Sequence, residues 1–323
     1  MGLTVGVDIG GTKIASGVVD ESGQIIDDDQ VATPDPVDDD DTASSIEKAI
    51  AGLVSGHLAR HPDVEAVGIG AAGFVDKARS VVIFAPNILW RDEPLRERVQ
   101  ALVDLPVVVE NDANAAAWAE FRFGAGEDVD DLVLLTVGTG IGGGIVLDGE
   151  LYRGAYGVAA EVGHLRVVPQ GVLCGCGNRG CWEQYASGRA LVRDARELVQ
   201  SRGPGYEALA AASGGVAERV DGPTVTRLAQ EGDPASVALV AEVGRWLGEG
   251  LASLTAVLDP AVAVVGGGVA AAGELVLGPM RTAFEAELTA HGHRPTLEIR
   301  PAELGNAAGI VGAADLARRP PDR

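Results

Sequence analysis

A short apolar run, a glycine turn and a second apolar run open this chain, and the same succession returns past residue 130. Residues 3–7 lead to Asp8, the turn Gly10-Gly11-Thr12-Lys13 follows, and residues 14–19 run on to a turn at Glu21-Ser22-Gly23. Residues 132–137 lead into the glycines between Gly138 and Gly144, and residues 145–147 then reach the hairpin turn Asp148-Gly149. Each copy reads as strand, tight turn, strand, and a repeated opening of this kind predicts two related domains. With 323 residues the chain also exceeds one comfortable core. The spacing predicts helices over 44–60, 93–102, 113–121, 237–258 and 269–277, and buried strands over 64–69, 107–109 and 261–265. Strands and helices alternate, so an α/β fold is expected. The expected division is a small domain over 1–112 and a larger one over 113–305, with a helical tail at about 306–318 packing back on the first.

The only three cysteines, Cys174, Cys176 and Cys181, fall within eight residues of one another. Three thiols cannot all pair, and the first two are too close in sequence for an unstrained bridge. With His164 they read as a tetrahedral Cys3His zinc site, the alternative being three buried thiols beside an unrelated histidine. Four such ligands leave no open position, so the zinc would be structural. Glu161 and Glu183 bracket the ligands, so a clamped loop over 164–181 would fix two carboxylates as well.

Acidic residues outnumber basic ones 47 to 25, giving a net charge of −22, and Lys13, Lys48 and Lys77 are the only lysines. Such a surface repels phosphate backbones, which argues against nucleic acid as a partner. Acid-rich and lysine-poor together suggest solubility in high salt, with ordinary acidic solubility as the alternative. No basic, apolar leader opens the chain and no stretch reaches the roughly twenty uncharged residues that span a bilayer, so a cytoplasmic protein without membrane contact is expected.

Gly138, Gly140 and Gly143 match G-x-G-x-x-G, with Glu161 about twenty residues on. A dinucleotide turn must open a helix, whereas residues 145–149 read as a strand entering a hairpin, so that reading is set aside. Residues 8–13 are not a Walker loop either. What remains is two glycine hairpins whose backbone N–H groups can donate to phosphate oxygens, facing one another across a triphosphate. Asp8 could then hold Mg²⁺, directly or through water. Gly266-Gly267-Gly268 would let a base or ribose lie against the backbone, or would be a plain turn. Asp112 follows a buried strand and opens a helix, where it suits either a general base for an alcohol or a helix cap. Trp90 and Trp182 read as packing, with lining a cleft as the alternative, and His57 and His61 as solvated.

The chain resembles the ROK family of sugar kinases and related repressors, and among them the ATP-dependent glucose kinases. The residues that carry the likeness are Asp8-Ile-Gly-Gly-Thr-Lys13, Glu110-Asn-Asp112, Val137-Gly-Thr-Gly-Ile-Gly-Gly-Gly144, Glu161-Val-Gly-His164, Cys174-Gly-Cys-Gly-Asn-Arg-Gly-Cys181 with Trp182-Glu183, and Gly266-Gly-Gly268. The resemblance implies a two-domain actin/sugar-kinase ATPase fold, ribonuclease H-like, with an interdomain cleft. It implies transfer of phosphoryl from ATP to glucose, giving glucose 6-phosphate, with Asp112 as general base. Sugar contacts would come from Asn87, Asn111, Asp112, Glu161, His164, Glu183 and the backbone near Gly73. Gly10, Gly11, Thr12, Lys13, Gly138, Thr139, Gly140 and Gly142 would bind phosphate, and Gly266, Gly267, Gly268 and Val269 would line the adenosine pocket. His164 would serve twice, one ring nitrogen on zinc and one toward a sugar hydroxyl. Ala72 stands where many relatives carry proline. A homo-oligomer, dimer or tetramer, is implied too. The alternatives are another hexose, such as mannose, fructose or N-acetylmannosamine, or a sugar-responsive repressor, which in this family carries a DNA-binding segment before the Asp8-type motif.

Overall fold

The computed structural model describes residues 2–34, 42–85, 88 and 90–319. Asn87 and the acidic stretch 35–41 lie outside the described residues. In chain order the elements are β1 (Leu3–Ile9), β2 (Lys13–Val19), β3 (Ile25–Ala32), α1 (Thr42–Arg60), β4 (Val64–Ala71), β5 (Phe74–Val75), β6 (Val82–Ala85), β7 (Trp90–Glu93), α2 (Leu95–Val103), β8 (Val107–Asn111), α3 (Asp112–Phe123), β9 (Leu132–Val137), β10 (Ile141–Leu147) and β11 (Glu150–Leu151). They continue with α4 (Glu183–Ala186), α5 (Gly188–Ser201), α6 (Glu207–Ala212), α7 (Gly222–Gln230), α8 (Pro234–Leu258), β12 (Val262–Gly266), α9 (Glu274–Glu287), β13 (Glu298–Pro301) and α10 (Ala308–Ala317).

Two five-stranded sheets run β3-β2-β1-β4-β8 and β11-β10-β9-β12-β13, the same order of first, second, third, fourth and fifth strand in each. The doubled opening of the sequence is therefore a doubled topology. Three short strands, β5-β6-β7, form a third, antiparallel sheet. Contacts group the chain into two units, Met1–Leu134 with Gly144–Ala160 and Ala302–Arg323, and Leu135–Gly143 with Glu161–Pro301. This differs from a division at residue 112, because α3 goes with the first unit. There it packs on α10: Trp118 Nε1 donates to Asp315 Oδ2 at 2.8 Å, and a Cβ at Gly312 would overlap the Ala115 carbonyl.

In the first unit β1 is paired antiparallel with β2 and parallel with β4, which is parallel to β8. The central strands are apolar on both faces because helices cover both. On one face α1 contributes Ile46, Ile50, Leu53 and Val54, the i, i+4, i+7, i+8 stripe of a helix docked on a sheet. On the other, α10 lies so close that side chains at Gly6 and Gly68 would overlap the carbonyls of Ile310 and Ala313.

In the second unit α8 starts cleanly. Asp233 accepts from the Ser236 N–H at 2.9 Å and Pro234 opens the first turn. Gly244 and Gly248, four residues apart on α8, leave room for the backbone of α9. Three expected boundaries move. Glu93 ends β7, and α2 starts beyond Pro94. Gly142 and Gly143 belong to β10 rather than to a turn. The expected helix over 269–277 is a 3-10 turn at Ala270–Ala272, broken by Gly273 at φ 60°, before α9. His57 is fully buried rather than solvated, because Ser16 on β2 and Asp27 on β3 each meet one of its ring nitrogens at 2.9 Å. Trp90 and Trp182 are packed inside.

Candidate active site

The carboxyl ends of β1, β4 and β8 lie side by side in register, with Asp8 opposite Gly70 and Ala71 opposite Asn111. The ends of adjacent parallel strands are where open α/β sheets collect ligands. Asn111 ends β8 and caps α3: its Oδ1 accepts the Asn114 N–H at 2.9 Å. Asp112, the first residue of the helix, is thus relieved of the capping role that its position allowed. The Asn111 amide donates to Asp112 Oδ1 and to the Gly73 carbonyl, each at 3.1 Å. No side chain fits at Gly73, since a Cβ would lie 2.6 Å from the Phe84 carbonyl oxygen.

Burial holds the half-buried Asp112 above the usual carboxylate range, partly offset by the N–H groups of Ala113 and of Asp112 itself. Asp8 is pushed up to about 6, by burial first and then by the charge of Asp112, against the pull of Lys13. Two acids thus stand at the carboxyl end of one sheet, and the charge of Asp112 disfavours ionisation of Asp8, an arrangement that a cation would relieve. The turn beside them is tied by Gly10 N–H to the Lys13 carbonyl at 3.0 Å and by Thr33 Oγ1 to the Gly10 carbonyl at 2.8 Å. Gly11, Thr12 and Lys13 are exposed, and Lys13 Nζ donates to Gln30 at 3.3 Å.

In the second unit the turn Gly138-Thr139-Gly140 is packed from several sides. The Gly138 carbonyl accepts the Gly188 N–H at 2.8 Å at the start of α5, and the Val137 carbonyl accepts the Val269 N–H at 3.0 Å. Gly267, at φ 87°, lies against that same Val137 carbonyl, where a Cβ would come within 2.6 Å. The 3-10 turn Val162–His164, which Glu161 precedes, rests on β10, since a side chain at Gly163 would overlap the Ile141 carbonyl. A Cβ at Gly140 would overlap Glu183 Oε2, so a carboxylate occupies the space that this glycine leaves.

Glu183 Oε1 accepts from Cys174 Sγ at 3.0 Å and lies 4.0 Å from His164 Nδ1. Cys176 and Cys181 sulfurs are 3.6 Å apart, and Cys174 Sγ is 3.7 Å from His164 Nδ1. One donor atom from each of these four residues lies within 4.8 Å of all the others. A tetrahedral centre with metal–sulfur bonds of about 2.3 Å spaces its sulfurs about 3.8 Å apart, so the set fits a metal ion. Burial pushes the Cys174 thiol up to about 12, against the Cys176 backbone N–H and with side-chain hydrogen bonds to Glu183 and Cys176 adding to it. A cation among the sulfurs reverses that preference.

A cavity of about 1250 Å³ opens beside Gly138 and Thr139 and is also lined by Gly268 and Val269. Its other walls are α5, through Arg189, Arg193 and Arg196, and α7, through Pro223, Arg227 and Gln230. Cavities of this size suit a nucleotide-sized ligand.

The model of the ROK family matches residues 4–320. A glucokinase of Streptomyces coelicolor is 52% identical over 320 residues, covering 99% of both chains. The chain belongs to the ROK family. Among solved ROK structures, the glucokinase from Streptomyces griseus in complex with glucose and AMPPNP is 54% identical, with a TM-score of 0.87 over 98% of this chain and 99% of that one. The ROK hexokinase from Thermus thermophilus is 37% identical, with a TM-score of 0.77 and 98% of each chain covered. This ROK chain has the actin-like ATPase fold of those kinases, and its two five-stranded sheets share one strand order.

Within the first unit the structure brings together Asp8, Gly73, Asn111 and Asp112; within the second it brings together Gly138, Gly140, Glu183, His164 and the cysteines. Gly142 sits inside β10, and Asn87 is outside the described residues. Two features went unread in the sequence. The walls on α5 and α7 carry no motif, only the spacing of Arg189, Arg193 and Arg196 along one helix face. Gly309 on α10 is the other: a Cβ there would lie 2.9 Å from Asp8 Cγ, so the helix presses its backbone on that carboxylate.

Proposed function

We propose that this chain phosphorylates glucose with ATP, giving glucose 6-phosphate and ADP. The observation that carries the reading is the division of labour at the start of α3. Asn111 caps the helix, and the neighbouring Asp112 carboxylate is held by burial at a raised proton affinity. A group that must take a proton from an alcohol works best when its affinity for that proton is raised toward the working pH. The relatives support the substrates: the Streptomyces coelicolor protein is a glucokinase, and the Streptomyces griseus kinase holds glucose with an ATP analogue.

Asn111, Glu161, His164, Glu183 and the Gly73 backbone, with Asn87, orient the sugar hydroxyls. Asp112 accepts the proton of the 6-hydroxyl as its oxygen bonds to the γ-phosphorus, while the bond from that phosphorus to the β,γ-bridging oxygen breaks and its electrons leave with ADP. Backbone N–H groups of the turns at 10–13 and 138–140 steady the phosphates, and the cavity beside Val269 takes the adenosine. Asp8 would hold Mg²⁺, directly or through water; when bound, the ion neutralises phosphate charge. Cys174, Cys176, Cys181 and His164 through Nδ1 would hold zinc, which fixes the loop that ends in Glu183 and leaves His164 Nε2 for a sugar hydroxyl. A cytoplasmic location and a homo-oligomeric state, dimer or tetramer, belong to the same reading. No helix among the described residues is long and apolar enough to cross a membrane.

A coupled assay over a panel of hexoses tests the proposal. Glucose should give the highest kcat/KM, with the phosphate on C6. A preference for mannose, fructose or N-acetylmannosamine would move the substrate, and sugar binding without turnover on any hexose would favour a sensor.

A further inference from the structure

Two residues before the proposed base stands a carboxylate with no assigned part in the reaction. Glu110, only 2% exposed, ends the buried run of β8. Its Oε1 accepts from the Asn111 N–H at 3.2 Å and from Asn114 Nδ2 at 3.1 Å, so one oxygen grips both the residue before Asp112 and the first turn of α3. Its Oε2 is met by Arg153 Nε at 2.7 Å and by Arg79 Nε at 3.4 Å.

The two arginines belong to different structures. Arg79 donates to the Leu316 carbonyl at 3.0 Å, and its own carbonyl accepts the Val109 N–H at 3.1 Å, which makes it part of the sheet and its covering helix. Arg153 sits on the segment that leaves β11 and runs straight into Glu161 in sequence. That segment is fastened within the first unit. Its loop is closed by the Ala159 N–H on the Arg153 carbonyl at 3.2 Å. Gly157, at φ 93°, lies against the backbone of Asp76 and Lys77, where a Cβ would come within 2.5 Å of each.

We infer that Arg153 and Glu110 are a positioning pair for phosphoryl transfer, in which the arginine fixes the carboxylate that holds Asn111 and the first turn of α3, and through them the aim of Asp112. The inference rests on Asp112 being the base. A buried, paired carboxylate suits the task because its geometry is over-determined: loss of one partner leaves a charge that must find another, and the groups on its second oxygen move with it. A displacement of about 1 Å at a reacting group can cost up to about 100-fold in rate.

Arg153→Met should lower kcat by about 10- to 100-fold while the KM for ATP stays within a few-fold. Arg153→Lys keeps the charge and loses the planar fork, and its kcat should fall below wild type while staying above that of the Met variant. The double variant Arg153→Met with Glu110→Gln should be no slower than the slower single one, because the two residues act as one unit. Thermal melting and kcat are measured together, with kcat taken well below the midpoint of every variant. A lower midpoint with unchanged kcat would reduce the pair to a structural tie and overturn the inference. If the Met variant does not fold, Arg153→Lys decides: a folded Lys variant with wild-type kcat overturns it. Asp112→Asn runs alongside. If that variant keeps turnover, the base assignment fails; if it loses turnover while Arg153→Met does not, only the positioning pair fails.

Discussion

Gly140→Ala should weaken glucose binding while leaving ATP binding nearly intact, through one added methyl group. Gly140 is not in the left-handed region, so alanine can take its backbone conformation. The new Cβ would overlap Glu183 Oε2, the far end of a flexible side chain, so the carboxylate gives way rather than the backbone. To regain van der Waals separation it must retreat by roughly 1 Å. Glu183 is proposed to accept from a sugar hydroxyl, and a displacement of that size removes most of one charge-assisted hydrogen bond, about 1.5–3 kcal/mol. The glucose Kd should therefore rise about 10- to 100-fold. Calorimetric titration with glucose, with melting temperature and bound zinc measured on the same sample, reads this out. An unchanged glucose Kd in a folded, zinc-replete variant would refute Glu183 as a sugar ligand. A rise in the KM for ATP at unchanged glucose Kd would assign the glycine to the phosphate side alone.

Removal of zinc by a chelator from protein that stays folded should raise the glucose Kd before the nucleotide Kd changes, because the metal loop ends in Glu183; equal loss of both would contradict the link. Glu47 is buried and pushed up to about 7 from 4.5, by burial first and then by its hydrogen bond with Glu93, against the attraction of Arg98. The folded chain thus holds a proton that the unfolded chain releases near its ordinary value, so stability is full below about pH 4.5 and falls as pH rises to about 7. Glu47→Gln should flatten that fall and be more stable than wild type at pH 8 by about 1–3 kcal/mol, the lower figure allowing for the half-exposed Arg98; urea unfolding across this pH range checks it, and parallel curves for the two proteins would contradict it.

The site was most legible where its residues are neighbours in sequence. Cys174, Cys176 and Cys181 converge because a tight loop with Gly177 and Gly180 at positive φ brings them together, which their spacing already implied. The strand-turn-strand openings were legible because apolar runs and glycine turns are local signals, and both became sheets of like order. Where tertiary partners decide, the sequence was silent or misleading. Gly144 and its neighbours look like a turn, yet Gly144 lies in a strand against α3, where a Cβ would come within 2.8 Å of the Ala113 carbonyl oxygen. His57 sits on a helix of polar appearance, and its partners Ser16 and Asp27 lie 41 and 30 residues away. Glu110 was visible only as part of a motif, because Arg153 is 43 residues distant. From its position alone Asp112 suits base and cap equally, the family resemblance points to the base, and the cap belongs to Asn111.

The central claim is that Asp112 takes the proton from the sugar, and the turnover of Asp112→Asn at saturating glucose and ATP tests it most directly. The loss of a general base predicts a fall in kcat of about 100- to 10,000-fold, with the glucose Kd within a few-fold of wild type by calorimetry. A folded Asp112→Asn enzyme that binds glucose and turns over at a rate near wild type would contradict the account.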